Sequence, residues 1–450
     1  MNERELILQI LLEAEKNGNF TGVILNQVLD KYDYLENSTK GRIKRTVSGC
    51  TERRLELDHV IDQFSKTPVR KMKPFIRVLM RMSVYQILYM EKTEDFAVCN
   101  EAVKLAKDHH FGQLSGFVNG VLRAVVRGKD TISYPSEAED LLKSISIRCS
   151  MPEEILKIWQ EAYGEEKMRQ MAYAQLESRP ISFRMRRDLP KEQRQALLKE
   201  MENEGLTVSQ HPYAKDAYTV ENLEKVTALP GFSGGLVTVQ DVSSMLPASY
   251  AGIKPGDLVV DLCAAPGGKT LMAAERVGDT GQVIARDLTE EKLERIRENA
   301  ARMGFNNIKT QVYDGRVTDP SLVGKADVVL ADLPCSGLGV IGRKQDIKYH
   351  VTGESIRELV VLQRQILKAS VPYLKKGGRL MYSTCTVTPS ENEEQAAYIR
   401  DELKLTPVCF GEEAGGENAE KSLLQIFPGE TGDAANMDGF FLALFEKRDE

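Results

Sequence analysis

Cysteine is sparse in this chain, and what there is does not pair. The seven cysteines, Cys50, Cys99, Cys149, Cys263, Cys335, Cys385 and Cys409, are odd in number and scattered over 450 residues. No two form a C-x-x-C pair, which excludes a disulfide framework and offers no zinc site. Histidine is equally scarce. The five include one adjacent pair, His109 and His110, but no ligand spacing, so no metal is expected. The single tryptophan, Trp159, reads as a packing residue. No stretch approaches the roughly 18 uninterrupted apolar residues of a membrane span. The opening segment MNERELILQILLEAEKNG carries acids where a secretory signal would be basic and lacks a small-residue cleavage site, so a cytoplasmic protein is expected. Excess charge is lacking too: the formal net charge is −6, which argues against indiscriminate binding of polyanions.

What is present is an ordinary globular mix, 42% apolar and 28% charged, on a chain long enough for two or three cores. Charge is uneven along it. Between Lys40 and Arg81 stand twelve Lys/Arg against four Asp/Glu. Arg42, Arg45, Arg53, Arg54, Arg70 and Lys73 in this block are candidates for a phosphate-facing surface. Residues 1–130 read as an all-helical bundle: FIRVLMRMSVYQILYM, AVCNEAVKLAKDHH and LSGFVNGVLRAVVR repeat apolar residues at three- and four-residue intervals. From 144 to 240 helical and strand-like segments mix, as in a small α+β connecting subdomain. From 241 to 450 strands and helices alternate: LVVDL, QVIAR, NIKTQV, ADVVLA and RLMYST are separated by helical patterns, and GFFLALFEK closes the chain. This predicts a Rossmann-like α/β domain with a mostly parallel sheet and ligands beyond the strands' carboxyl ends. Nothing suggests an obligate oligomer, so the chain reads as a monomer.

The first of those strands runs into Asp261-Leu-Cys263-Ala264-Ala265-Pro266-Gly267-Gly268-Lys269-Thr270. Small residues and two glycines at a strand-to-helix turn let backbone approach a ligand, and a helix N-terminus favours negative charge. The spacing matches neither G-x-G-x-x-G nor G-x-x-x-x-G-K-[ST]. Asp287 ends the second strand, where a carboxylate suits the hydroxyls of a ribose. Asp314 follows the third, where an acceptor suits an adenine amino group. An adenosine-containing cofactor fits this series of strand ends. Two cysteines occupy further strand ends, in Asp332-Leu-Pro-Cys335-Ser-Gly and Ser383-Thr-Cys385-Thr. Lone cysteines are usually small buried hydrophobes, but two beside an acid at neighbouring strand ends make a candidate active site.

Together these motifs resemble the RNA cytosine-C5 methyltransferase family. The resemblance implies S-adenosylmethionine as cofactor, held by Cys263 to Lys269 with Asp287 and Asp314. It implies Cys385 as the nucleophile that attacks C6 of cytosine and Cys335 as the cysteine that assists product release. It further implies Asp332 in contact with cytosine and cofactor, with Lys269 in the same pocket. In family terms the segments VTVQDVSSML, LGVIGRKQDIKY and DGFFLALFEK also match, whereas Gly342-Arg343-Lys344-Gln345-Asp346 stands where Arg-Arg-Lys-Pro-Asp is usual. The N-terminal segments are similar to the NusB-type RNA-binding domain of antitermination factors. That domain, fused to this core, implies small-subunit ribosomal RNA as partner. The alternatives are the same chemistry on transfer RNA, or a non-catalytic RNA-docking module for which both thiols would be superfluous. A nicotinamide oxidoreductase fails at the glycine turn.

Overall fold

The structure is a computed structural model and describes residues 2–17, 20–91, 93–432 and 435–448. Two of the residues in the long stretch before the last strand, 433 and 434, lie outside these. The chain divides into two compact units, Met1–Leu176 with Ile341–His350, and Glu177–Val340 with Val351–Glu450.

The first unit is helical. It comprises α1 (Glu3–Asn17), α2 (Thr21–Lys31), α3 (Asn37–Glu52), α4 (Arg54–Phe64), α5 (Pro74–Tyr89), α6 (Asp95–Asp108), α7 (Ser115–Gly128), α8 (Leu141–Arg148) and α9 (Glu153–Ala174). Burial follows the helical period: α7 buries Val118, Val121, Leu122 and Val125, one stripe three and four residues apart. Helix α5 starts with Pro74 at its first turn, where the missing N–H has no helical acceptor to serve. It buries Phe75, Ile76, Leu79 and Met80 at the centre of the bundle. Each such fully buried side chain contributes about 1.5–3 kcal/mol of hydrophobic stabilisation.

The second unit holds two sheets. The smaller has the order β2-β3-β1-β4, from β1 (Ile181–Met185), β2 (Thr207–Gln210), β3 (Ala217–Glu221) and β4 (Val237–Val239), all antiparallel, with α10 (Lys191–Asn203) between β1 and β2. Phe183, Met185, Leu197 and Met201 form its core. The stretch 144–240, expected to be one connecting subdomain, is thus divided between the units: α8 and α9 fall in the first, and α10 with strands β1 to β4 in the second. Periodicity reports which face of an element is buried; it does not report which neighbour buries it.

After α11 (Val242–Tyr250) comes the large sheet. Its elements are β5 (Leu258–Asp261), α12 (Gly268–Val277), β6 (Gln282–Asp287), α13 (Glu290–Met303), β7 (Ile308–Val312), β8 (Ala326–Asp332), α14 (Gly353–Ser370), β9 (Leu374–Thr384) and α15 (Glu393–Asp401), followed by β10 (Thr406–Pro407), β11 (Leu423–Ile426) and β12 (Phe440–Glu446). The order is β10-β12-β9-β8-β5-β6-β7, with β11 beside β12. Strands β5 to β9 pair in parallel, while β12 runs antiparallel to β9. From β5 the chain moves outward through β6 and β7, then returns to place β8 on the other side of β5. This reversal opens a crevice at the carboxyl ends of β5 and β8, where a doubly wound sheet binds its ligands. The segment Ile341–His350, expected within the catalytic domain, belongs to the helical unit, where the Lys348 ammonium is buried and donates to the carbonyl of Glu52 at 2.8 Å.

Candidate active site

The Gly-rich turn occupies the crevice because β5 delivers it there. Val259 and Val260 are fully buried in the sheet, and Asp261 ends the strand with 1% exposure. One oxygen of Asp261 accepts from the Thr270 hydroxyl at 2.6 Å, and the other is buried without a partner among the described residues. Burial pushes its pKa up to about 7. Gly267 has φ +107°, a conformation strained for any residue with a side chain, and it precedes the first residue of α12. The turn therefore presents close-lying backbone at a helix N-terminus. The Asp287 carboxylate braces it, accepting from Ala265 N–H at 3.1 Å, from Leu288 N–H at 2.8 Å and from the Lys292 ammonium at 2.8 Å.

A cavity of about 390 Å³ opens beside the turn, lined by Cys263, Ala264, Ala265, Pro266, Gly268, Lys269 and Asp332 together with Gln240, Asp241 and Ser244. Five residues expected at the site, Gly267, Asp287, Asp314, Cys335 and Cys385, are not among those lining it. Asp314 lies beyond β7 with its carboxylate held by Arg316 at 2.7 Å, and hydrogen bonds from that guanidinium lower its pKa to about 2. The oxygen it would offer to an adenine amino group is therefore already shared with an arginine. Cys263 is kept as a thiol, since burial first and the neighbouring acids second raise its pKa.

Asp332 ends β8 opposite Ser383 of β9, and that register explains its contacts. The Ser383 hydroxyl donates to one oxygen at 2.8 Å, and the Lys269 ammonium donates to the other at 2.6 Å. Lys269, only 8% exposed, also donates to Ser244 at 3.0 Å, which fixes its reach across the crevice. The buried Lys269 ammonium is thereby pinned to a half-buried carboxylate that still faces the crevice.

The two cysteines meet where the loops after β8 and β9 converge: Cys335 Sγ and Cys385 Sγ are 3.4 Å apart. The residues following them meet as well, with the Ser336 and Thr386 hydroxyls 2.7 Å apart. Beneath them is a group that sequence reasoning missed. Glu391, fully buried, accepts from Ser336 N–H at 2.8 Å, from the Ser336 hydroxyl at 2.6 Å and from the Gln363 amide at 3.3 Å. Gly339 completes the crossing: its N–H donates to the Cys385 carbonyl at 3.1 Å, and a Cβ there would collide with the carbonyl of Gly439. The Cys335 pKa is raised, first by its hydrogen bond to Cys385, then by burial, with the charges of Cys385 and Glu391 adding to both. The Cys335 thiol therefore resists deprotonation. The only sequence signal for Glu391 was its place in an acid-rich run, SENEE, which reads equally well as a solvated helix start.

Among the described residues no three His, Cys, Asp or Glu side chains are grouped to hold a metal, and no helix is long and apolar enough to cross a membrane. Residues 250–446 match the family described as 16S rRNA methyltransferase RsmB/F, and residues 1–127 match the NusB family. The chain is 34% identical over 452 aligned residues to a probable ribosomal RNA small subunit methyltransferase B of Bacillus subtilis, spanning 99% of this chain and 98% of that one. In three dimensions it resembles the crystal structure of PH0851, with a TM-score of 0.79 over 99% of both chains at 22% identity, a likeness of fold alone. It also resembles a methyltransferase homolog from Pyrococcus horikoshii, with a TM-score of 0.56 and 28% identity over 68% of this chain and 99% of that one.

Proposed function

The chain belongs to the 16S rRNA methyltransferase RsmB/F family, and from that premise we propose that it forms 5-methylcytidine in small-subunit ribosomal RNA, with Cys385 as nucleophile. The observation that carries this reading is the placement of two sulfurs 3.4 Å apart at the ends of β8 and β9, with the Asp332–Lys269 pair on the same strand end. S-adenosylmethionine supplies the methyl group. The residues that would hold it are the turn from Cys263 to Lys269, with Asp287, Asp314 and Asp332; the backbone-exposing geometry at Gly267 and the cavity beside the turn suit such a ligand.

The chemistry requires these groups. Cytosine C5 is a weak nucleophile until a thiolate adds to C6. Addition forms the Cys385 S–C6 bond and moves the C5=C6 electron pair onto C5 and the ring; N3 takes up a proton from solvent as it gains that charge, and its N–H donates to the carboxylate of Asp332, held by Lys269 and Ser383. The C5–methyl bond would form as the methyl–sulfonium bond breaks, its electrons staying on sulfur in the departing thioether, and a base then removes the C5 proton. The C5=C6 bond returns, and the Cys385 sulfur departs with the electrons of the S–C6 bond. Cys335, kept as a thiol beside it, stabilises the leaving thiolate by donating its S–H. The helical unit, matching the NusB family, is the part assigned to RNA docking, and the cytoplasm is the compartment this reading implies.

The test is transfer of labelled methyl from S-adenosylmethionine to protein-free small-subunit ribosomal RNA, followed by nuclease digestion and nucleoside mass analysis. Labelled 5-methylcytidine is expected. Label only in transfer RNA offered in parallel would move the substrate, and label on another base would end the cytosine reading.

A further inference from the structure

The helical unit contains a second cavity, about 420 Å³, lined by Arg54, Arg70, Arg77 and Arg81. We propose that it is an oxyanion site that takes a phosphate group, with Arg54 and Arg70 as the residues that bind it. The basic block of the sequence does not act as one surface. Arg42 is spent on Glu3 at 2.8 Å, Arg53 on Glu56 at 2.9 Å, and Lys73 lies over the ring of Phe111. Within the cavity, Arg77 is bonded to Glu15, while Arg81 is held by Asp58 through two bonds of 2.6 and 2.7 Å and reaches Glu15 at 3.2 Å. A third acid, Asp346, accepts from the N–H of Thr21. Two of the three carboxylates that line the cavity are therefore paired with Arg77 and Arg81, and the third is bonded to a backbone N–H.

Arg54 and Arg70 are left over. Among the described residues neither has a carboxylate at ion-pair distance. The Arg54 guanidinium lies 4.1 Å from the ring centre of Tyr349, so one face is covered by an aromatic while its N–H edge remains to be used. Its Nε is buried and without a hydrogen-bond partner. Burial, and after it the like charge of Arg81, lower its pKa, and the charges of Asp58 and Glu15 only partly oppose them. A guanidinium presents a rigid donor fork that fits two phosphate oxygens at once, and a partly buried fork gains more from an anion than an exposed one. The volume is an order of magnitude above the roughly 30 Å³ share of one water, which leaves room for a phosphate and its ester substituent. The anion has two sources, a backbone phosphodiester of RNA or a free phosphate. Only the first rests on the substrate reading above.

The test uses the full chain as wild type, Arg54→Gln, Arg70→Gln and, as a control outside the cavity, Arg42→Gln, each checked for fold by circular dichroism. Binding of inorganic phosphate is followed by calorimetry, and binding of protein-free small-subunit ribosomal RNA is measured across a salt series. Phosphate affinity is expected to fall tenfold or more in both cavity variants and to stay at the wild-type value in Arg42→Gln. Arg70 is exposed, so that variant carries the test should Arg54→Gln fail to fold. If RNA supplies the phosphate, the slope of log affinity against log salt drops by about one in the same variants. Phosphate binding lost with an unmoved RNA slope assigns the site to a free phosphate. Equal phosphate affinity in the folded variants and wild type overturns the proposal, as does a wild type that ignores phosphate and shares its RNA slope with both variants. Methylation need not occur for any of these readings, so failure of the proposed function is seen separately.

Discussion

Replacing Glu391 by glutamine should slow catalysis without unfolding the protein, and the structure sets the scale. Three donors converge on this carboxylate: Ser336 N–H, the Ser336 hydroxyl and the Gln363 amide. Hydrogen bonds to a charged acceptor are worth about 1.5–3 kcal/mol and neutral ones about 0.5–1.5. The substitution therefore forfeits roughly 1 kcal/mol at each, about 3 kcal/mol in total. Against this stands the burial that holds the Glu391 pKa above the carboxylate range. A carboxylate whose folded pKa is raised loses stability as pH rises through that value, and glutamine carries no such loss. The two effects oppose each other at neutral pH, so the melting temperature should shift by only a few degrees. Catalysis has no such offset. Ser336 follows Cys335 directly, and loosening its anchor frees the thiol to leave its 3.4 Å contact. A loss of about 1.4 kcal/mol of positioning lowers kcat tenfold, with KM for RNA and for S-adenosylmethionine nearly unchanged. A second readout needs no catalysis: oxidation of the native enzyme by diamide, with peptide mapping, reports how readily Cys335 and Cys385 join. It should slow in Glu391→Gln. A folded variant with wild-type kcat and wild-type cross-linking would refute the reasoning.

Asp261→Asn should flatten the acid side of the stability profile. With a folded pKa near 7, above its unfolded value, Asp261 costs stability as pH rises from the carboxylate range through 7, by about 4 kcal/mol at most; melting at pH 5 and pH 8 should separate the wild type from a flatter variant. Gly339→Ala should cost several kcal/mol or expel the loop that donates to the Cys385 carbonyl, because its new methyl meets the Gly439 carbonyl; equal melting temperatures and equal activity would contradict the packing described. Lys269→Met should leave Asp332 without its closest cation, lowering kcat/KM by roughly a hundredfold if a charge-assisted bond of about 3 kcal/mol is lost from the transition state; unchanged kinetics would show that Asp332 is oriented by Ser383 alone.

Much of this was legible in the residues. Strands β5, β6 and β8 stood out because each is a short, largely buried run bounded by turns or helices, whereas the half-exposed edge strand β7 stood out by its place in the strand–helix alternation; the chemistry-bearing residues sit at or beyond their ends. Buried parallel strands leave that imprint. Among the antiparallel strands β1, β2 and β3 were legible as strand-like runs, whereas β10, with two residues, and β11, with four, were missed. Sequence order also misled where packing is long-range. Ile341–His350 lies between two elements of the methyltransferase unit yet folds with the helices, a matter of which carbonyls receive Lys348 and Tyr349. The site shows the same division. Cys335 and Cys385 were visible as motifs, but their separation depends on Ser336, after β8, meeting Thr386 and Glu391, both after β9. Asp314 was visible as an acid in the right place, whereas its bond to Arg316 was not.

The central claim is that Cys385 attacks and Cys335 releases. It is tested most directly by incubating wild type, Cys385→Ala and Cys335→Ala with S-adenosylmethionine and protein-free small-subunit ribosomal RNA, then resolving protein–RNA adducts under denaturing conditions. The account predicts no methylation and no adduct for Cys385→Ala, and an accumulating covalent adduct for Cys335→Ala. Methylation retained by Cys385→Ala, with neither turnover nor adduct in Cys335→Ala, would contradict it and exchange the roles of the two thiols.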